Sequence, residues 1–166
     1  MIKLISRKSN RTNMVVEIPY GSFEKIEWNP IKQIMEVDRL EPSTFPEPVN
    51  YGFIPDTIGG DGDALDVILV SDTPHKTGEH IQVKIIGVMK FIDEGYVDDK
   101  IVTVPKNSKN INTLADIKQD NITEIEYYFN HYKDYKKVGI TSVKGWGGVL
   151  DANRCINEAS KAWRQE

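Results

Sequence analysis

Residues 59–66 read GGDGDALD, which places Asp61, Asp63 and Asp66 within six positions at the head of an apolar run, 65–70. Carboxylates a few ångströms apart repel one another, and one of them takes up a proton unless a cation lies between them. Glycine and aspartate are also what a solvated turn uses, so this stretch alone leaves both readings open. A calcium EF-hand is excluded, because its loop needs Asp or Asn at the fifth position and Gly at the sixth, where Leu65 and Asp66 stand. A second acidic group, DEGYVDD at 93–99, tips the balance towards metal. It links two strand candidates, so Asp93 and Asp98 fall near strand ends. If both loops share one rim, the converging carboxylates raise one another's pKa values and weaken the fold, a conflict that hard divalent cations remove. With no His or Cys at metal spacing, oxygen-only ligation fits Mg²⁺ or Mn²⁺ and not Zn²⁺. Magnesium keeps several waters and completes its shell with phosphate oxygens, so the molecule bound there should carry phosphate.

The basic residues bear on that expectation. Lys25, Arg39 and Lys100 fall within strand candidates, and by alternation Arg39 shares a side with Met35 and Val37, a poor place for a guanidinium kept for solubility. HYKDYKK, 131–137, adds Tyr132 and Lys133 near the end of a predicted helix. Each has a plainer reading, as an edge-strand lysine or as a cation complementing the helix dipole. Lysines with aromatic rings also suit single-stranded nucleic acid, but the formal net charge of -4 gives no general attraction for it. GWGG, 145–148, lacks the Lys-Ser/Thr of a P-loop and reads as a turn around a packed Trp146. His75, His80 and His131 form no ligand pattern. Cys155 sits on an apolar helix stripe as a small core residue.

The elements that must position these groups change character along the chain. Strand candidates are 14–18, 23–28, 33–40, 65–70, 81–92 and 100–104, enough to close a small barrel. The turn residues 19–22, PYGS, suggest that the first two form a hairpin. In the last third, Asn121 with Glu124 makes a capping-box pattern, and Ile122, Ile125, Phe129 and Tyr132 recur at helical spacing. A second helix is expected from about Asp151, with Ala152, Cys155, Ile156, Ala159, Ala162 and Trp163 on one stripe. Strands first and helices packed on them afterwards is an α+β arrangement.

The 166 residues suit one domain spanning 1–166, with no repeat or linker-like shift. Hydrophobic residues at 39% and charged ones at 28% are those of a globular chain. No apolar stretch approaches the roughly 20 residues that cross a bilayer, so no membrane partner is expected. A lone cysteine and the absence of a signal-like apolar segment point to the cytoplasm.

Taken together, VVEIP (15–19), FEKIEW, VDRL, VNYGFIP, DGDALD, GVMKFIDE with Asp98 and Lys100, HYKDYK and SVKGW resemble, in order and spacing, the soluble family I inorganic pyrophosphatases of the short bacterial type. The resemblance implies a five-stranded OB-type barrel with two flanking helices in the C-terminal third, and Mg²⁺-dependent hydrolysis of pyrophosphate to two phosphates. It implies that Asp61, Asp66 and Asp98 hold activating metals and that Asp93 holds metal arriving with substrate. Glu17 and Glu27 match outer or water-mediated acidic positions. Asp63 matches the acceptor of the attacking water's proton, and Lys25, Arg39, Tyr51, Lys100, Tyr132 and Lys133 match the positions that hold the two phosphoryl groups. The chain departs from the family at Ala64, where Pro or Glu is usual, at Glu47, where a tyrosine is common, and at Ser142, where relatives often carry lysine. Short members are usually hexamers, so a homo-oligomer is expected.

Overall fold

Runs rich in Val, Ile and Met that are apolar at successive positions have to be covered on both faces, and this governs how the strands assemble. The computed structural model describes residues 10–40 and 46–166, with the side chains of 38–40 left out. In chain order the strands are β1 (Arg11–Ile18), β2 (Glu24–Asn29), β3 (Ile34–Leu40), β4 (Asn50–Phe53), β5 (Asp66–Leu69), β6 (His80–Asp93), β7 (Tyr96–Val97), β8 (Lys100–Pro105) and β9 (Thr141–Gly147). The helices are α1 (Gln119–His131) and α2 (Val149–Arg164), preceded by a 3₁₀ turn at Leu114–Asp116. None of the described helices is long and apolar enough to cross a membrane.

Among the described residues, β1, β4, β5, β8 and β6 pair in that order and β6 pairs back onto β1, a closed circuit of five strands. β7 and β9 extend β6, while β2 and β3 form a separate two-stranded sheet. The mostly-strand architecture with C-terminal helices agrees with the α+β expectation. One core cluster joins Met14, Val67, Leu69, Val88 and Ile101 to Ala152 and Ala159 of α2. The other joins Ile68, Ile86, Phe91 and Val102 to Ile125, Tyr128 and Phe129 of α1 and to Tyr132 at its C-cap. Val67 and Leu69 thus face α2 while Ile68 between them faces α1, which is why 67–70 is apolar at successive positions.

Four local expectations are corrected. The turn at 19–22 forms, with the Ser22 N–H donating to the Pro19 carbonyl, but it does not join a hairpin. The edges of β1 are taken by β6 along its first half and by β4 along its second, so β2 pairs with β3 instead. α1 starts at Gln119, before Asn121 could cap it, and its N-cap Lys118 makes no side-chain capping bond. The GWGG segment is no turn: Trp146 lies in β9, opposite Met89, with its indole N–H donating to Glu126. α2 starts at Val149, and Asp151 accepts from the Gly148 N–H at 3.2 Å, so that aspartate sits inside the first turn.

Candidate active site

Strand register gathers the acidic residues. β5 opens on Asp66 and β8 on Lys100, and the parallel pairing of the two strands sets these residues side by side. β6 runs to Asp93, and the two-residue loop Glu94-Gly95 reverses the chain into β7 with φ of 51° and 87°, as a type I′ turn requires. Asp98 follows, its N–H donating to the Phe91 carbonyl at 2.9 Å.

The loop between β4 and β5 is folded by its own hydrogen bonds. Thr57 Oγ1 donates to the Ile54 carbonyl and accepts from the Leu65 N–H, while the Asp63 N–H donates to Asp61 Oδ1 at 3.0 Å. The turn reading of GGDGDALD is therefore correct as local structure, and it coexists with convergence. Gly60 packs so tightly on the 93–99 hairpin that a Cβ there would stand 2.6 Å from the Val97 carbonyl oxygen. This contact brings the two acidic loops together: one oxygen each from Asp61, Asp66 and Asp98 lies within 4.8 Å of the others.

These groups line a cavity of about 930 Å³ that also takes in Asp63, Asp93, Glu17 and Glu27. The C-terminal end of α1 closes another side. Tyr128 and Tyr132, four residues apart on one helix face, stack at 5.3 Å between centroids, and Lys133 Nζ stands 2.6 Å from Asp93 Oδ2. Lys25, from β2, also faces the cavity. Lys100 Nζ donates to Asp66 at 2.7 Å, to Asp98 at 2.9 Å and to the Tyr51 hydroxyl at 3.0 Å.

Burial first, and neighbouring charge second, shifts several of these titrations. Burial, then the charge of Asp66, pushes Asp98 up to about 8 against the pull of Lys100. Burial also carries Glu17 to about 8, with Asp66 and Glu27 adding to it and the Trp28 N–H opposing. Asp63, though exposed, is raised by partial desolvation and then by Asp61 and Asp66. Burial would lower the Lys100 pKa, but Asp66 and Asp98 together outweigh it, so the ammonium persists. Burial and neighbouring carboxylates hold the Tyr51 and Tyr132 hydroxyls well above their ordinary value, so both remain hydrogen-bond donors.

The donor set fits a hard divalent ion. It is all oxygen, two of its half-buried carboxylates share a single ammonium, and Asp93 Oδ1 is buried with no hydrogen-bond partner among the described residues. Asp61, Asp63, Asp66, Asp93, Asp98, Lys25, Tyr51, Tyr132 and Lys133 all line the one cavity. Lys100 does not reach its wall and lies beneath it, wholly buried. The backbone of Arg39 pairs with that of Lys25, but its side chain is outside the described residues. Sequence reasoning passed over Tyr128, whose hydroxyl touches both Lys25 and Glu47; its spacing three from Ile125 and four from Tyr132 was the available signal.

The family model described as inorganic pyrophosphatase matches residues 14–164. The inorganic pyrophosphatase of Neisseria meningitidis serogroup A is 49% identical over 158 residues, covering 93% of this chain and 89% of the relative. That of Haemophilus influenzae is 48% identical over 157 residues, covering 92% and 89%. The crystal structure of an inorganic pyrophosphatase from Neisseria gonorrhoeae superposes with a TM-score of 0.90 at 49% identity, covering 93% of this chain and 92% of the other.

Proposed function

Given that this chain belongs to the inorganic pyrophosphatase family and hydrolyses inorganic diphosphate to two phosphates, we propose that it does so with Mg²⁺, or Mn²⁺ in its place, held on the acidic rim of the cavity. The observation that carries the reading is the convergence of Asp61, Asp66 and Asp98 within 4.8 Å on a cavity that also presents lysines and tyrosines. A divalent ion there supplies Lewis acidity, lowering the pKa of coordinated water and offsetting phosphoryl charge.

The chain's own groups do the rest. Asp61, Asp66 and Asp98 hold the activating metal, Asp93 a further ion entering with diphosphate, and Glu17 and Glu27 act through water. Asp63 accepts the proton of the attacking water; its raised pKa makes it a better acceptor than an ordinary aspartate near neutrality. Lys25, Arg39, Tyr51, Tyr132 and Lys133 bind the two phosphoryl groups and hold them in line with the attack. Lys100 holds Asp66 and Asp98 from beneath the wall, where its ammonium would add positive charge behind the bound phosphate.

The test is phosphate release from diphosphate with millimolar-range Mg²⁺, beside an Asp63→Asn variant. The variant should lose about 10² to 10⁴ in kcat, the span of one positioned acid–base group. Equal rates would remove Asp63 from its role, and no release from the wild type with any divalent ion would remove the metal reading. The proposal also treats residues 1–166 as one domain working in the cytoplasm, in keeping with the lone Cys155. Assembly as a homo-oligomer, a hexamer by resemblance to short bacterial members, is tested by sedimentation.

A further inference from the structure

Behind the wall formed by Lys25 and Tyr132 lies a charged group with no assigned part in the reaction. Glu47 is 1% exposed, and its Oε2 stands 3.2 Å from Lys25 Nζ. Lys25 Nζ donates to the Tyr128 hydroxyl at 2.7 Å, and that hydroxyl donates onward to Glu47 Oε2 at 2.8 Å, closing a triangle. The ammonium also lies 4.7 Å from the centroid of the Tyr132 ring. Neither Glu47 nor Tyr128 reaches the cavity, whereas Lys25 does.

Stability alone is a poor reason for this arrangement. Glu47 Oε1 is buried with no hydrogen-bond partner among the described residues, and a buried ion pair whose acceptor is half satisfied is commonly no better for stability than apolar packing. What the triangle does accomplish is directional. A lysine has a long, rotamer-rich chain, and losing that freedom on binding phosphate weakens the grip. A carboxylate and a phenol fixed behind the ammonium remove that freedom beforehand.

We propose that Glu47 and Tyr128 are positioning residues that preset Lys25 for the phosphate it binds. The inference rests on the reading of Lys25 as a phosphate ligand. It also accounts for the departure at position 47: the carboxylate is the acceptor of the triangle, and the hydroxyl beside it comes from Tyr128 on α1.

A double-mutant cycle tests this with purified full-length protein, Mg²⁺ and diphosphate. Glu47→Gln and Tyr128→Phe, which keep side-chain volume, should each lower kcat/KM about tenfold, chiefly through a raised KM. In a Lys25→Met background the same changes should have less than about a twofold effect, because the group they serve is gone. Equal losses in both backgrounds would show a general packing role and overturn the proposal. So would unchanged kcat/KM in both single variants while Lys25→Met alone is impaired, which leaves the Lys25 reading standing. If Lys25→Met is itself unimpaired, that reading fails and this inference with it. Should Glu47→Gln not fold, Tyr128→Phe, which removes a single oxygen, carries the cycle alone.

Discussion

Lys25, Lys100 and Lys133 each meet a carboxylate: Glu47 for the first, Asp66 and Asp98 for the second, Asp93 for the third. These lysines offset part of the acidic charge around the cavity, and the carboxylates outnumber them. Lys133 is the simplest of the three to test, because Asp93 is its one ion-pair partner among the described residues and both line the cavity. Lys133→Met should raise KM for diphosphate about tenfold, one charge-assisted contact, with a smaller change in kcat. A normal KM would show that this lysine serves Asp93 alone. The aspartates were legible from their types and spacing, because repulsion between like charges is visible in a string of letters. The meeting of Glu47 with Tyr128 was not, since 81 residues separate partners 2.8 Å apart.

The elements differ in how plainly they announce themselves. β5, β6 and β8 are runs of branched apolar residues and were expected within a residue or two of their bounds. β4 is NYGF and β9 is TSVKGWG, with glycines and no clean alternation, and each lies along an edge of a longer strand, β1 for the first and β6 for the second. The pairing of β1 was misjudged for the same reason: local turn chemistry proposed a hairpin, and competition for edges decided otherwise. What joins the two acidic loops is the contact of Gly60 with Val97. Gly60→Ala should force the loops apart, lowering stability by about 1–3 kcal/mol and weakening Mg²⁺ uptake in calorimetry. Unaltered Mg²⁺ affinity would mean that the loops find their spacing without this contact.

Across the whole molecule, metal and stability are linked. Glu17 and Asp98 stand at about 8 against ordinary values of 4.5 and 3.8, so the folded metal-free protein holds protons that the unfolded chain releases. Their contribution is fully present below the ordinary values and is lost as pH rises through the shifted ones. Thermal unfolding in the presence of a chelator should therefore show Tm falling between about pH 5 and pH 8. Saturating Mg²⁺ should raise Tm most at the upper end, by about 2.7 kcal/mol of stability at a hundredfold excess over Kd. A metal-free Tm that climbs across that range would contradict the buried, mutually repelling carboxylates. The sequence by itself determined the chemistry on offer: which residues bear charge, that an all-oxygen donor set suits a hard divalent ion, and that apolar runs give way to amphipathic helices, all of which follow from residue type and local period. Only the tertiary structure decided which charges meet, because the parallel register of β5 with β8, the seat of Gly60 and the arrival of Tyr128 behind Lys25 depend on contacts between segments far apart in the chain.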